Sequence, residues 1–210
     1  MKLNIIKTIF LTRHGATGYN DEDLLQGWRD IQLSQQGIRE AEQLSECLKD
    51  EHFDIIYHTS LSRTRQTAEI INTFHQSKFQ VIDSFIEMDL GDWEGQYLDK
   101  MIKENPGIYQ QWLANPDAVI PGGESFTQVY NRIKPGVDEV LASQYKNILI
   151  VGHAMVNRAI LGHLLGIEPG SARKFRMENC ALSKFLVIET PKGPHILADT
   201  WNNYSHLIVT

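Results

Sequence analysis

The tripeptide Arg13-His14-Gly15 places an imidazole beside a guanidinium on backbone that a ligand can approach closely. An imidazole can attack phosphorus if cations hold the charge on the phosphoryl oxygens while the attacking and leaving atoms line up. Arg13 is one such cation, and Arg63, in Ser60-Leu61-Ser62-Arg63, is a second. A leaving alcohol of high pKa also needs a proton donor, and Glu87, set between Phe85-Ile86 and Met88, suits that task. Asp89 and Glu94 compete for the role but read as solvated carboxylates. His153, in Val151-Gly152-His153, is a further donor for an anion, assisted by the helix that starts there. Singly, each is commonplace; the information lies in their conjunction.

For these groups to meet, the elements carrying them must end at one edge. Residues 5–12 are rich in Ile, Leu, Phe and Thr and predict a buried strand that delivers residues 13–15 from its C-terminal end. Ile38, Ala41, Leu44 and Leu48 recur at helical spacing behind Ser34, a suitable N-cap, and residues 53–57 return to strand character. Residues 62–74 suit a helix, 81–82 a short strand, and 147–151 a strongly apolar strand running into His153 and a helix to Leu165. Two more strands are expected near 184–189 and 195–199. The alternation predicts an α/β fold: a three-layer sandwich with a largely parallel central sheet and helices on both faces, whose ligands gather beyond the C-terminal strand ends. Between Gly91 and Leu141 the strand signal gives way to helical, aromatic sequence. We read residues 1–210 as one domain with a helical insertion, about 91–141, over the active site. In the insertion, Glu124 or Ser125 would cap a helix that Pro135 and Gly136 should kink or interrupt.

A 210-residue chain that is 42% hydrophobic can bury one sizeable core. Its net charge of −6 argues against binding nucleic acid or an anionic membrane surface as a main task. The sequence lacks a bilayer-spanning apolar run and the pattern of a secretory signal, so a cytoplasmic protein is expected. Cys47 and Cys180 form neither a disulfide framework nor a zinc motif. An exposed edge strand or apolar helix would support a homodimer.

Taken together, Leu11-Thr12-Arg13-His14-Gly15 with Asn20, Ser60-Leu61-Ser62-Arg63 with Thr67-Ala68, Pro121-Gly122-Gly123-Glu124-Ser125, and Val151-Gly152-His153 resemble, in order and over the whole chain, the histidine phosphatase superfamily, also called the phosphoglycerate mutase-like family. The resemblance implies His14 as the phosphorylated nucleophile, Arg13, Arg63 and His153 as ligands of the phosphoryl group, Asn20 as an added donor, and Glu87 as acid and later base. Gly15 and Ser125 join the expected phosphate- and substrate-binding residues. Neither metal nor cofactor is implied, and the expected partner is a small phosphorylated metabolite. Ala16 and Ala154 depart from the usual Glu or Gln and the usual Gly.

Within the family, residues 86–91, 121–125 and 129–132 are similar to metal-independent phosphoserine phosphatases, the aromatic insertion would equally favour bulkier esters in a broad-specificity phosphatase, and phosphoserine or sugar and organic-acid phosphates are the expected substrates. A phosphoglycerate mutase dependent on 2,3-bisphosphoglycerate is the rival, but residues 88–130 carry only Lys100 and Lys103 as cations. A catalytically weak regulatory module that binds a phosphate ligand is the alternative of another class. The sequence has no G-x-x-x-x-G-K-[ST] loop, neither cysteine precedes an arginine at the spacing of cysteine phosphatases, and Asp21-Glu22-Asp23 lies in a polar loop without metal ligands around it.

Overall fold

The computed structural model describes residues 3–207. In chain order, β1 (Ile5–Arg13) leads through α1 (Gly18–Asp21) and α2 (Gln35–Leu48) to β2 (Ile55–His58), followed by α3 (Ser62–Ile71) and β3 (Lys78–Val81). Next come α4 (Leu98–Glu104), α5 (Pro106–Ala114), α6 (Phe126–Ala142), β4 (Asn147–Gly152), α7 (Ala154–Leu165), α8 (Pro169–Ala172), β5 (Leu182–Ile188) and β6 (His195–Asn203). The strands form one sheet in the order β3-β2-β4-β1-β5-β6. The first four are parallel to their neighbours, and β5 and β6 run antiparallel at the other side. The α/β sandwich expected from the strand and helix signals is thus the one observed.

The apolar runs of β1 and β4 follow from burial on both faces. Ile9 and Leu11 join Ile133 and Val137 of α6 and Val156 and Ile160 of α7, whereas Phe10 packs with Leu44 of α2 and Ala68 and Ile71 of α3. Successive side chains alternate in direction, but neither direction reaches water. Ser34 caps α2 as expected, its hydroxyl accepting from the Gly37 amide.

Several boundaries differ from expectation. The short strand lies at Lys78–Val81, one step earlier than its most apolar residues, because Ile82 turns inward while the strand itself is exposed. Pro135 does not interrupt α6, which runs unbroken from Phe126 to Ala142. Pro135 is on the exposed side, so the carbonyl that loses its amide partner there is left to water, while Ile133, Val137 and Val140 keep the helix packed. Among the described residues, no helix is long and apolar enough to cross a membrane.

Candidate active site

Strand register brings the two histidines together. In the parallel pairing of β1 with β4, Arg13 lies opposite Gly152, so each strand delivers its histidine at the next residue. The His14 amide donates to the Gly152 carbonyl at 3.1 Å, and the two imidazoles meet edge to face with ring centroids 5.4 Å apart.

His14 is 2% exposed, and its Nδ1 lies 2.7 Å from the Gly15 carbonyl. A carbonyl only accepts, so Nδ1 carries the proton and Nε2 keeps its lone pair. Burial, reinforced by the charges of Arg63 and Arg13, holds the imidazole well below the ordinary value of 6.5, so it is neutral at physiological pH. The loop bearing it is fixed by contact with α2. A Cβ at Gly37 would stand 1.8 Å from the Ala16 carbonyl oxygen, so only glycine admits this approach. Glu40 then accepts the Ala16 amide at 2.8 Å, and Thr67 accepts the Gly15 amide at 3.0 Å.

Arg63 enters from the first turn of α3, whose leading amide and hydroxyl, both from Ser62, are held by Asp30. It is 1% exposed, and its two terminal nitrogens donate to the carbonyls of Arg29 and Gly27 at 2.8 Å each. Burial pushes its pKa down to about 10, which leaves it charged at neutral pH. Arg13 donates to the Met177 carbonyl at 3.1 Å. His153 has its Nε2 3.0 Å from the Thr59 hydroxyl; with that hydroxyl donating, the proton sits on Nδ1. Burial, with Arg63 as the largest charge, keeps this ring neutral too. The Nε of Arg13, the Nε of Arg63 and the Nδ1 of His153 are all buried without a protein partner. Orphaned guanidinium donors are costly unless an acceptor-rich group serves them, and a phosphoryl group is such an acceptor.

Glu87 faces this cluster in surroundings the sequence did not suggest. Its carboxylate receives the amides of Met88 at 2.9 Å, Met155 at 3.3 Å and Val156 at 3.4 Å, so the first turn of α7 holds the carboxylate instead of an apolar pocket. Its backbone is clamped separately. Arg132 donates to the carbonyls of Ser84 at 2.8 Å, Ile86 at 3.1 Å and Glu87 at 3.2 Å, and is itself paired with both carboxylate oxygens of Glu124. The indole of Trp28 adds a 2.6 Å hydrogen bond to the Glu87 carbonyl.

Residues 9–201 match the histidine phosphatase superfamily (branch 1). The chain belongs to that family. This histidine phosphatase chain is 32% identical over 179 residues to phosphoserine phosphatase 1 of Hydrogenobacter thermophilus, covering 83% of the chain and 84% of the relative. It is 29% identical over 205 residues to a probable phosphoglycerate mutase of Cronobacter sakazakii, covering 95% and 94%. It superposes with a TM-score of 0.86 on mycobacterial glucosyl-3-phosphoglycerate phosphatase complexed with VO3, at 25% identity over 94% of this chain and 99% of that one. The resemblance read from the motifs is thereby borne out.

In this family member, a cleft of about 150 Å³ is lined by Arg13, His14, Asn20, Arg63 and Glu87 among the residues singled out from sequence. His153 is fully buried and does not line the cleft; it stands against His14. Gly15 contributes close-packed backbone. The Asn20 carbonyl oxygen closes a capping box with Thr17, which leaves its NH₂ group for the cleft. Ser125 is outside the cleft: its hydroxyl accepts from the Gln128 amide and caps α6. Trp201 packs on Phe175 and Phe185, and His206 sits 3.0 Å from the Cys180 carbonyl, so both serve tail packing. Sequence reading passed over Gln26, which lines the cleft with a buried, unpartnered Oε1, and over Thr59 and Arg132. The signal available for Gln26 was the following Gly27-Trp28, a tight turn at φ +54° beside an aromatic.

Proposed function

We propose that the chain hydrolyses small phosphate monoesters through a phosphohistidine formed on His14 Nε2. The observation that carries this is the 2.7 Å bond from His14 Nδ1 to the Gly15 carbonyl, which leaves a neutral ring with its Nε2 lone pair free beside the buried guanidinium groups of Arg13 and Arg63. In the first step Nε2 bonds to phosphorus and the ester oxygen departs with a proton from the Glu87 carboxyl. In the second, Glu87 takes a proton from water as the water oxygen bonds to phosphorus, and His14 is released. Arg13 and Arg63 hold the equatorial oxygens throughout, with Asn20 as a further donor, and His153 backs the His14 ring from behind the cleft.

Hydrolysis is favoured over mutase chemistry because, among the described residues, Arg13 and Arg63 are the only cations lining the cleft and both are needed by the phosphoryl group in transit. A ligand with two phosphates would place the second one without a counter-charge. The test is rapid quenching of the protein with 4-nitrophenyl phosphate in the presence of a chelator, followed by peptide mass spectrometry. A phosphoryl adduct on His14, lost together with turnover in His14→Ala, is the expected result. Wild-type-like turnover by that variant, or an adduct elsewhere, would overturn the proposal, and rapid isomerisation of 2- and 3-phosphoglycerate with little phosphate release would replace it by the mutase reading.

A further inference from the structure

Beyond the groups that grip phosphate, the cleft is walled by Leu24, Leu25, Leu90 and Met155, with Gln26 as the polar exception. Two of these flank the proposed proton donor. Met155 stands in the turn of α7 whose amides hold the Glu87 carboxylate, and Leu90 follows Glu87 closely in the chain. Trp28, next in the chain to the cleft-lining Gly27, is 45% exposed with its indole nitrogen pinned to the Glu87 carbonyl. An alcohol that departs toward Glu87 therefore passes along apolar surface.

Several cations of the surrounding segments are engaged elsewhere. Arg132 is taken up by three carbonyls and Glu124, and Arg29 lies 3.9 Å from Glu94. Lys103 pairs with Asp99 at 3.1 Å and Arg173 stacks over Trp112 at 4.8 Å, whereas Arg158, with one nitrogen 3.1 Å from Met155 Sδ, keeps a buried Nε without a partner and is the rival counter-ion behind the methionine. On the other side of the Leu24 loop, Glu22 and Asp23 line a neighbouring hollow with Asp99. A second anion on the substrate would thus shed its water against leucine and methionine, next to the Glu87 carboxyl.

We infer that the cleft selects phosphate monoesters whose alcohol half is uncharged and apolar, and discriminates against those that carry a carboxylate or a second phosphate. The inference rests on the hydrolytic reading above for the direction of the leaving group. Its test compares kcat/KM for 2-phenylethyl phosphate with O-phospho-L-serine and 3-phosphoglycerate, all of which release alkoxides, so that reactivity at phosphorus is comparable. The expected preference for the phenylethyl ester is at least about tenfold, the scale on which an apolar pocket discriminates. Leu90→Lys should narrow that preference by a similar factor. Equal or greater kcat/KM for either carboxylate ester would overturn the inference, and so would a loss of the carboxylate activity in Arg158→Met, which would identify Arg158 as a hidden counter-ion. Calorimetric binding of 2-phenylethylphosphonate against 3-phosphonopropionate separates the two readings. A preference for the phenylethyl compound in a protein that hydrolyses nothing would uphold the cleft's selectivity and refute hydrolysis; tighter binding of 3-phosphonopropionate would refute the selectivity whatever the turnover.

Discussion

Replacing Arg132 by Met keeps the aliphatic stem but removes a guanidinium that serves three carbonyls and one carboxylate. Hydrogen bonds to a charged donor contribute about 1.5–3 kcal/mol each when buried. Here the side chains of Arg132 and Glu124 keep 24% and 18% of their surface, so water re-solvates part of what is lost and the ion pair itself adds only about 1 kcal/mol. We expect a destabilisation of about 3–4 kcal/mol, which for a domain of this size lowers Tm by roughly 10 °C. Glu124→Gln leaves the carbonyl contacts intact and should cost about 1 kcal/mol. Differential scanning calorimetry of the three proteins gives the stabilities. Steady-state kinetics gives a second readout: if the clamp places Glu87, Arg132→Met loses more kcat/KM on an alkyl phosphate than on 4-nitrophenyl phosphate, whose leaving anion needs little protonation. A Tm within about 2 °C of wild type would refute the energetic reasoning, and equal kinetic losses on both esters would refute the positioning role.

Glu87→Gln should likewise discriminate by leaving group, with a loss of roughly 10²-fold or more on alkyl phosphates and a much smaller one on the nitrophenyl ester; matching losses would remove Glu87 as proton donor. Because burial keeps His14 and His153 neutral in the folded protein, the unfolded chain binds more protons below about pH 6.5, so stability should fall as pH drops from 7 toward 5. Thermal melts across that range should show a shallower fall in His153→Asn, and an unchanged slope would contradict the assignment. Gly37→Ala forces a methyl against the Ala16 carbonyl with backbone on both sides, and should cost about 1–3 kcal/mol while displacing the His14 loop; a variant with native Tm and turnover would show that the loop yields freely.

The central strands were legible because β1 and β4 are apolar on both faces, and their histidines stood out because each follows a strand end. What the sequence could not display was contact between distant segments. Nothing local to Glu87 announces that amides at positions 155 and 156 will reach its carboxylate, or that Arg132 will clasp its carbonyl. Ser125 carries two readings, a cap for the following helix and a ligand contact; the residue type is a strong N-cap, and the structure shows the cap, with Ser125 outside the cleft. An interruption at Pro135 is one of the two outcomes expected because its cost is counted against an isolated helix, whereas α6 is anchored by a buried face and runs on through it.

The strand order carries a consequence for how the molecule comes into being. β4 occupies the slot between β2 and β1, so the two N-terminal strands are never neighbours. A nascent chain that has released only residues 1–120 holds His14, just after β1, and Arg63, in the helix after β2, beside strands with an empty lane between them, and the sheet closes only when residues 147–152 emerge and slide in. The late strand brings His153 with it, and α7 brings the amides that hold Glu87. Assembly of the cleft is thereby tied to the last third of synthesis, and a truncated product carries the conspicuous N-terminal motif without the chemistry.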